Sequence, residues 1–321
     1  MTTLQSPIGS GFNAFSTASH IVAGMDLAGT TAIVTGGYSG LGLETVRALC
    51  AAGVEVIVPA RDTARAVAML SGLPQVAVAQ VNLMNAQSID RFAAAFGADR
   101  RALHLLINCA GVMATPLIRD ESGHESQFAI NHLGHFRLTA RLWPALRRAQ
   151  HARVISVSSR GHQIAGVDFD DIDFQQKAYD KWIAYGQSKT ANALFAVALD
   201  ARGRDDNIRA FSVHPGTVLG PLARHLSADE IDSFKVRDES GELIIAPEQD
   251  LKTATQGAAT IVWCATSTQL DGMGGVYCED CDIASVSESE RRGVRPWAVA
   301  HAPAERLWAL SEGMTGIGLP A

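Results

Sequence analysis

Thr35-Gly36-Gly37-Tyr38-Ser39-Gly40-Leu41-Gly42 follows directly on an apolar run, Thr31 to Thr35, and leads into a segment of helical period opening with Leu43 and Glu44. Glycines at Gly36, Gly40 and Gly42 let the backbone turn sharply between a strand and a helix. They also let the helix N-terminus, with its unpaired N–H groups and positive dipole end, approach a pyrophosphate. No Gly-Lys-Ser/Thr follows, so the spacing is not that of a P-loop. At a strand-to-helix junction near the start of an α/β pattern, the turn favours a dinucleotide over a nucleoside triphosphate.

The rest of the chain supplies that pattern. Strand-length apolar runs are expected at Thr31 to Thr35, Val54 to Pro59, Gln75 to Val81, Leu103 to Asn108, Arg153 to Ser158, Ile208 to His214 and Gly275 to Tyr277. Helical periodicity predicts helices near 41–52, 63–70, 86–97, 123–149, 180–201 and 251–266, with Ser88 and the Asp62-Thr63 pair offering cap chemistry. Several of the strands are apolar on consecutive residues, as a strand buried on both faces requires. The expectation is α/β: a single-domain, Rossmann-type, doubly wound parallel sheet of about seven strands with helices on both faces. No repeat or linker marks a second domain. Residues 1–29 form a polar N-terminal extension, 30–285 the dinucleotide-binding and catalytic domain, and 286–321 a C-terminal tail packed on it. Within the domain, 217–250 is dense in charge yet carries Leu222, Leu226, Ile231 and Phe234 near helical spacing, and reads as a substrate lid.

Composition narrows the class. The chain has 321 residues, 47% hydrophobic and 19% charged, with 29 Gly and 11 Pro, so it can bury a large core and is neither disordered nor collagen-like. Its formal charge of −6 disfavours nucleic acid or anionic membrane as the main partner. Five cysteines, an odd number thinly spread, fit a reducing compartment, and a cytoplasmic location is expected. The first 25 residues lack Lys and Arg, and no stretch of 18 apolar residues occurs, so neither a signal peptide nor membrane insertion is expected.

The second strand ends at Val58-Pro59-Ala60-Arg61, ~20 residues past the glycines, where an acidic residue would select NAD through the ribose. A guanidinium there suits a 2′-phosphate, which points to NADP, with NAD as the alternative because Asp62 is adjacent. The blander reading of Arg61 is a strand end on the solvent face. Further along, Tyr185-Gly186-Gln187-Ser188-Lys189 falls at a helix start, and the four-residue spacing puts phenol and ammonium on one face about 5 to 6 Å apart. A phenol of pKa ~10 is a poor base at neutral pH. A cation ~6 Å away at effective dielectric ~20 contributes about 2.8 kcal/mol toward the phenolate, near two pKa units.

With these residues in view, the chain resembles the short-chain dehydrogenase/reductase family over nearly all of 30–285, and within it the retinol-dehydrogenase and WW-domain-oxidoreductase-like branch. The motifs carrying the resemblance occur in order. They are Thr35 to Gly42, Asn108-Cys109-Ala110-Gly111, Asn131-His132-Leu133-Gly134-His135-Phe136, Val157-Ser158-Ser159, Tyr185 to Lys189 and His214-Pro215-Gly216-Thr217. The resemblance implies that Ser159 hydrogen-bonds the substrate oxygen and that Tyr185 is the acid/base. Lys189 would lower the phenol pKa and hold the nicotinamide ribose, while Asn131 would anchor a relay water. It further implies a cofactor site from Gly36, Tyr38, Ser39, Gly40, Leu41, Gly42, Arg61, Asn82, Leu83, Asn108, Ala110, Gly111, Pro215, Gly216 and Thr217, with Tyr185 and Lys189.

Two departures bear on cofactor affinity. Cys109 stands where the family has a second Asn, and Asn82 where it has Asp, although the Asn82 amide oxygen can still accept a hydrogen bond. The 26 positions from Ser159 to Tyr185 are about twice what the resemblance implies for tetrameric members, so a monomer or a differently packed homodimer is expected. Substrate contacts are expected from Met113, His162, Ile164, Trp182, Leu219 and Leu222, giving a mainly apolar pocket; the rival reading is that several only pack the core.

Cys278-Glu279-Asp280-Cys281 has no second cysteine pair, and His132 and His135 read as packed or surface residues, so no metal site is expected. The reading is an oxidoreductase moving hydride between NADP(H), or NAD(H), and a small hydrophobic alcohol or carbonyl compound. The alternative is a non-catalytic dinucleotide-sensing protein on the same fold. Epimerase or dehydratase chemistry on nucleotide sugars is disfavoured, because the ~45 residues after 275 are too few for a substrate domain.

Overall fold

A computed structural model describes residues 3–320; Met1, Thr2 and Ala321, the outermost positions of the expected extension and tail, lie outside the described residues. The strands are β1 (Thr31–Val34), β2 (Glu55–Ala60), β3 (Val76–Gln80), β4 (Leu105–Asn108), β5 (Ala152–Val157), β6 (Ile208–His214), β7 (Val276–Glu279) and β8 (Asp282–Ile283). They form one sheet in the order β3-β2-β1-β4-β5-β6-β7-β8, parallel through β7. The eighth strand, missed in the sequence, pairs antiparallel with β7. Asp280 and Cys281 both have positive φ between these strands, so the Cys-x-x-Cys stretch is a two-residue hairpin turn. All five cysteines are free thiols, and no cluster of three or more metal-ligating side chains occurs among the described residues.

Seven longer helices cover the sheet: α1 (Gly40–Ala51), α2 (Thr63–Leu70), α3 (Ala86–Ala98), α4 (Gly134–Arg148), α5 (Lys181–Gly203), α6 (Ala254–Thr266) and α7 (His301–Thr315). Alternate residues of each strand feed opposite layers. Ala32 and Val34 pack with α1 and α6, and Ile33 packs with α3, α4, α5 and α7. The caps differ from expectation at one place, where Asn85, not Ser88, starts α3 by accepting from the Ser88 N–H. Asp62 caps α2 through the Arg65 N–H. The helix expected over 123–149 is broken: Ser126–Phe128 is α-helical, Ala129–Leu133 is a π turn, and α4 begins only at Gly134. Such a turn displaces side chains from the regular helical stripe, and Asn131 sits in it.

Both termini are fastened to this body. The Gln5 amide spans Tyr277 and Ala284 backbone groups, and the Asp282 carboxylate accepts from the N–H groups of Ile8 and Gly9 at 2.9 and 3.0 Å. The helical C-terminal segment lies along α5, where Trp308 stacks on Phe195 with centroids 6.0 Å apart. The 217–250 stretch is only partly helical, as short turns at Pro221–His225 and Ala228–Ser233. It reaches the start of α5 through Lys181–Glu230 at 2.5 Å and an edge-to-face Trp182–Phe234 contact.

Candidate active site

Strand order reverses between β1 and β4, and in a doubly wound sheet the crevice beyond the strand ends at that point is where ligands bind. The glycine turn lies there. Gly36 adopts φ +68°, and a Cβ on it would lie 3.0 Å from Ala110 Cα, while a Cβ on Gly42 would fall 2.4 Å from the Gly36 carbonyl oxygen. The turn therefore closes only with glycine at both positions. Ser39, the N-cap of α1, is extended and its hydroxyl makes no capping bond, so the first N–H groups of α1 have no side-chain acceptor among the described residues. That donor set fits a pyrophosphate. The buried Asn108 Oδ1 likewise has no partner among the described residues.

Thr35 ties the two nucleotide-side turns together. Its hydroxyl oxygen accepts from the N–H groups of Cys109 and Ala110 at 2.9 and 3.0 Å and lies 2.9 Å from His135 Nε2. His135 Nδ1 is 3.1 Å from the Asn131 carbonyl, an acceptor only, so Nδ1 carries the proton and Nε2 accepts from Thr35. Arg61 lies just past β2 and is exposed, free of any ion pair among the described residues. Asn82 Oδ1 accepts from the Met84 N–H at 3.1 Å, and the Leu83 carbonyl faces Gly134. Tyr38 and Leu41 are half-buried beside the turn.

The other half of the site is built by α5. Asp180 caps it by accepting from the Trp182 and Ile183 N–H groups, which puts Tyr185 and Lys189 on consecutive turns facing the ends of β4 and β5. Lys189 Nζ lies 5.7 Å from the Tyr185 ring centroid and donates to the Val157 carbonyl at 2.9 Å. The Tyr185 ring and the Ser159 hydroxyl meet beside Gly161, where a Cβ would lie 2.6 Å from Tyr185 Cε1 and 3.5 Å from Ser159 Oγ, and Ser159 Oγ accepts from the Gly161 N–H at 3.0 Å. Asn131 clamps the Val112 backbone, accepting from its N–H at 2.9 Å and donating to its carbonyl at 3.0 Å, and donates to Ser188 at 2.9 Å. A Cβ at Gly111 would lie 3.1 Å from Asn131 Oδ1 and 3.6 Å from Lys189 Nζ, so the fold brings all four expected residues together.

The electrostatics differ from the sequence expectation. Burial pushes the Tyr185 phenol up to about 12, with the Ser159 hydrogen bond opposing, and brings Lys189 down to about 8. Desolvation disfavours both charged forms and is the largest cause at each group.

On the C-terminal side, the Thr217 N–H donates to the Asp250 carbonyl at 2.8 Å, and Gly216 takes φ +89° against the Lys252 side chain. Met113, Trp182, Leu219 and Leu222 are half-buried and Ile164 is half-exposed. Leu219 lines a cavity of about 220 Å³ with Val236, Leu243, Ile245 and Leu251, beneath the 217–250 stretch. His162 does not join them. It is fully buried, donating from Nδ1 to the Ser159 carbonyl at 2.7 Å and accepting at Nε2 from the Arg295 N–H at 3.1 Å. Both ring nitrogens are consumed inside the protein, so the substrate contact expected of it is corrected.

Sequence reasoning passed over Gly161, where a Cβ would sit 2.6 Å from Tyr185 Cε1. A glycine two positions after the serine was the available signal. It also passed over Asp250, whose carboxylate meets His214, Arg160 and Thr217 and is held far below the ordinary carboxylate range, burial being outweighed by its His214 and Arg160 contacts. Nothing in the local sequence sets that aspartate apart.

Known proteins share this architecture. The crystal structure of an uncharacterized Mycobacterium paratuberculosis protein superposes with a TM-score of 0.73 at 31% identity, covering 95% of this chain and 99% of that one. The Pseudomonas aeruginosa RhlG/NADP active-site complex, at 24% identity and a TM-score of 0.59, covers 79% of this chain and 95% of that one and shows the fold alone. A Streptomyces antibioticus protein whose name reads probable oxidoreductase is 41% identical over 88% of this chain and 97% of its own. Human retinol dehydrogenase 12 is 35% identical over 91% and 88%. The short chain dehydrogenase family model matches residues 30–231, and with these relatives it shows that the chain belongs to the short-chain dehydrogenase family of oxidoreductases.

Proposed function

We propose that the protein is an NADP(H)-preferring alcohol dehydrogenase or carbonyl reductase of hydrophobic substrates. The observation that carries this reading is the Tyr185 ring set beside the Ser159 hydroxyl at Gly161, with the Lys189 ammonium 5.7 Å from the ring centroid, next to the glycine-built crevice. In this reading the turn at Gly36 to Gly42 and the N-terminus of α1 hold the pyrophosphate, and Arg61 meets the 2′-phosphate. Asn82, Leu83, Asn108, Ala110 and Gly111 line the adenosine side, and Pro215, Gly216 and Thr217 the carboxamide end. When bound, the nicotinamide supplies hydride to a carbonyl carbon or takes it from an alcohol.

The side chains then manage one proton. In reduction, Ser159 donates a hydrogen bond to the carbonyl oxygen, and Tyr185 gives its hydroxyl proton to that oxygen as it becomes an alkoxide. A phenol raised to about 12 keeps its proton at neutral pH, which suits the reductive direction. In oxidation, Tyr185 must give up that proton first, and the Lys189 cation lowers the cost. Asn131 holds Val112 beside Lys189 and keeps the site in register. The apolar lining by Met113, Ile164, Trp182, Leu219 and Leu222 selects a hydrophobic substrate, and the 217–250 stretch closes over it. No helix among the described residues is long and apolar enough to cross a membrane, and we infer a monomer or homodimer working in the cytoplasm.

The test mixes the protein with NADPH or NADH and a panel of aromatic, steroid and polyene carbonyls, retinal included because relatives are named for retinol. Consumption of NADPH faster than NADH, lost at least 100-fold in Tyr185→Phe, is the expected outcome for a general acid. Full turnover by that variant would end the proposal. Tight NADPH binding with no turnover on any carbonyl would favour a dinucleotide-sensing protein instead.

A further inference from the structure

The peptide group joining Ser159 to Arg160 is gripped at both ends by buried histidines that come from opposite parts of the chain. Its carbonyl accepts from His162 Nδ1 at 2.7 Å, and its N–H donates to His214 Nδ1 at 3.0 Å. A carbonyl oxygen cannot donate, so His162 carries its proton on Nδ1; an N–H cannot accept, so His214 Nδ1 is bare. Each ring is locked in that tautomer by its second nitrogen. His162 Nε2 accepts from the Arg295 N–H at 3.1 Å, and His214 Nε2 donates to the Asp250 carboxylate, 3.1 Å from each oxygen. The hydrogen bonds thus hold the two rings as opposite tautomers.

We propose that His162 and His214 are a pair of positioning residues that set the orientation of the Ser159 backbone, and through it the aim of the Ser159 hydroxyl at the substrate oxygen. Ser159 Oγ takes the Gly161 N–H beside the Tyr185 ring, so a rotation of the peptide just after Ser159 moves the hydroxyl away from the phenol. The clamp ties the serine to two distant segments. Arg295 belongs to the C-terminal segment, and Asp250 closes the 217–250 stretch, where it also accepts from the Thr217 hydroxyl at 3.2 Å and from Arg160 Nε at 3.0 Å. Burial holds His162 down to about 3, which agrees with a ring that stays neutral at physiological pH. The Tyr277 hydroxyl, 3.2 Å from His162 Nδ1, and the Glu279 carboxylate, 3.6 Å from Arg160, complete the polar surroundings.

The proposal rests on the reading of Ser159 as a substrate-binding group, but half of its test does not. On the cofactor-free protein labelled with ¹⁵N-histidine, long-range ¹H–¹⁵N spectra at pH 7 are expected to give one Nδ1–H tautomer that vanishes in His162→Asn. They should also give one Nε2–H tautomer that vanishes in His214→Asn. Finding His162 as the Nε2–H form, or either ring doubly protonated, overturns the clamp whatever the protein catalyses.

The kinetic half uses NADPH and whichever carbonyl the protein turns over. His162→Leu should lower kcat about tenfold, the scale of one hydrogen bond misaligned in the transition state, while the NADPH Kd by fluorescence titration stays unchanged. His162→Asn, which keeps an N–H donor near the same place, should recover most of the loss. In a Ser159→Ala background the His162→Leu loss should shrink to less than about twofold, because the two act as a unit. Equal losses in both backgrounds would show that His162 acts on something other than the serine. Absence of turnover in the parent protein would instead sink the functional reading and leave the spectroscopic result standing.

Discussion

Acidification from pH 7.5 to 5 should remove several kcal/mol of folding stability, and the structure says where it goes. His132, His135 and His162 are each at most 3% exposed. His132 is packed among Phe128, Phe136 and Phe195 with Nε2 2.7 Å from Ser311 Oγ. Burial holds these rings down to about 3, 4 and 3 respectively, against ~6.5 in an unfolded chain. A folded value below the unfolded one means that the unfolded chain binds more protons. Stability is therefore complete above about pH 7 and is lost as the pH falls toward the folded values. At pH 5 each unfolded histidine is protonated while the folded ring is still neutral, a cost of about 2 kcal/mol per ring and about 6 kcal/mol for three. That is comparable with the whole stability of an ordinary domain, ~5–15 kcal/mol. His104, lowered by burial, adds in the same direction. His124, raised by its hydrogen bond to Asp173, opposes. Asp250 enters only below about pH 4, because its carboxylate is held far down. Urea unfolding followed by tryptophan fluorescence should show a slope that rises from below about one proton per molecule at pH 7.5 to about three at pH 5, reduced by about one at the acid end in His132→Leu. A stability that stays constant within about 1 kcal/mol across that range would refute the buried neutral rings.

Three further outcomes follow from particular contacts. Gly161→Ala puts a methyl 2.6 Å from a Tyr185 ring carbon, so the ring must swing; kcat should fall at least tenfold with the NADPH Kd unchanged, and an unaltered kcat would show that the ring has room to yield. Arg61→Asp should raise the NADPH KM at least tenfold, with NADH unaffected or improved, since it exchanges a phosphate partner for a ribose partner; equal losses for both would remove the 2′-phosphate assignment. Trp308→Ala strips a ring that stacks on Phe195 and carries Arg202 at 4.3 Å, and should cost about 3–5 kcal/mol of unfolding free energy by urea titration without changing the catalytic pH profile.

The sheet and the placement of Tyr185 beside Lys189 were legible because each rests on short-range pattern. Consecutive apolar residues such as Leu105 to Ile107 placed the buried strands, and a four-residue spacing placed Tyr185 and Lys189 on one face. What was not legible depends on partners far away in the chain. β8 is two residues long and owes its existence to the turn at Asp280 and Cys281, too brief for any periodicity. The π turn at Asn131 interrupts a segment whose apolar spacing reads as continuous helix. His162 was misjudged because its neighbours along the chain do not reveal that Arg295, 133 positions later, fills its second nitrogen.

The phenol pKa was misjudged for a different reason: Coulomb attraction can be worked from spacing, whereas desolvation depends on everything packed around the pair. The same reasoning explains why motif residues alone do not define this site. In the proposed reading, Tyr185, Ser159, Lys189 and Asn131 fix which proton can move. The side chains that hold them, His162, His214 and Thr35, are themselves held by the tail, the 217–250 stretch and α4. In the proposed reading, the tail and the 217–250 stretch therefore bear directly on how well the reacting hydroxyl is aimed.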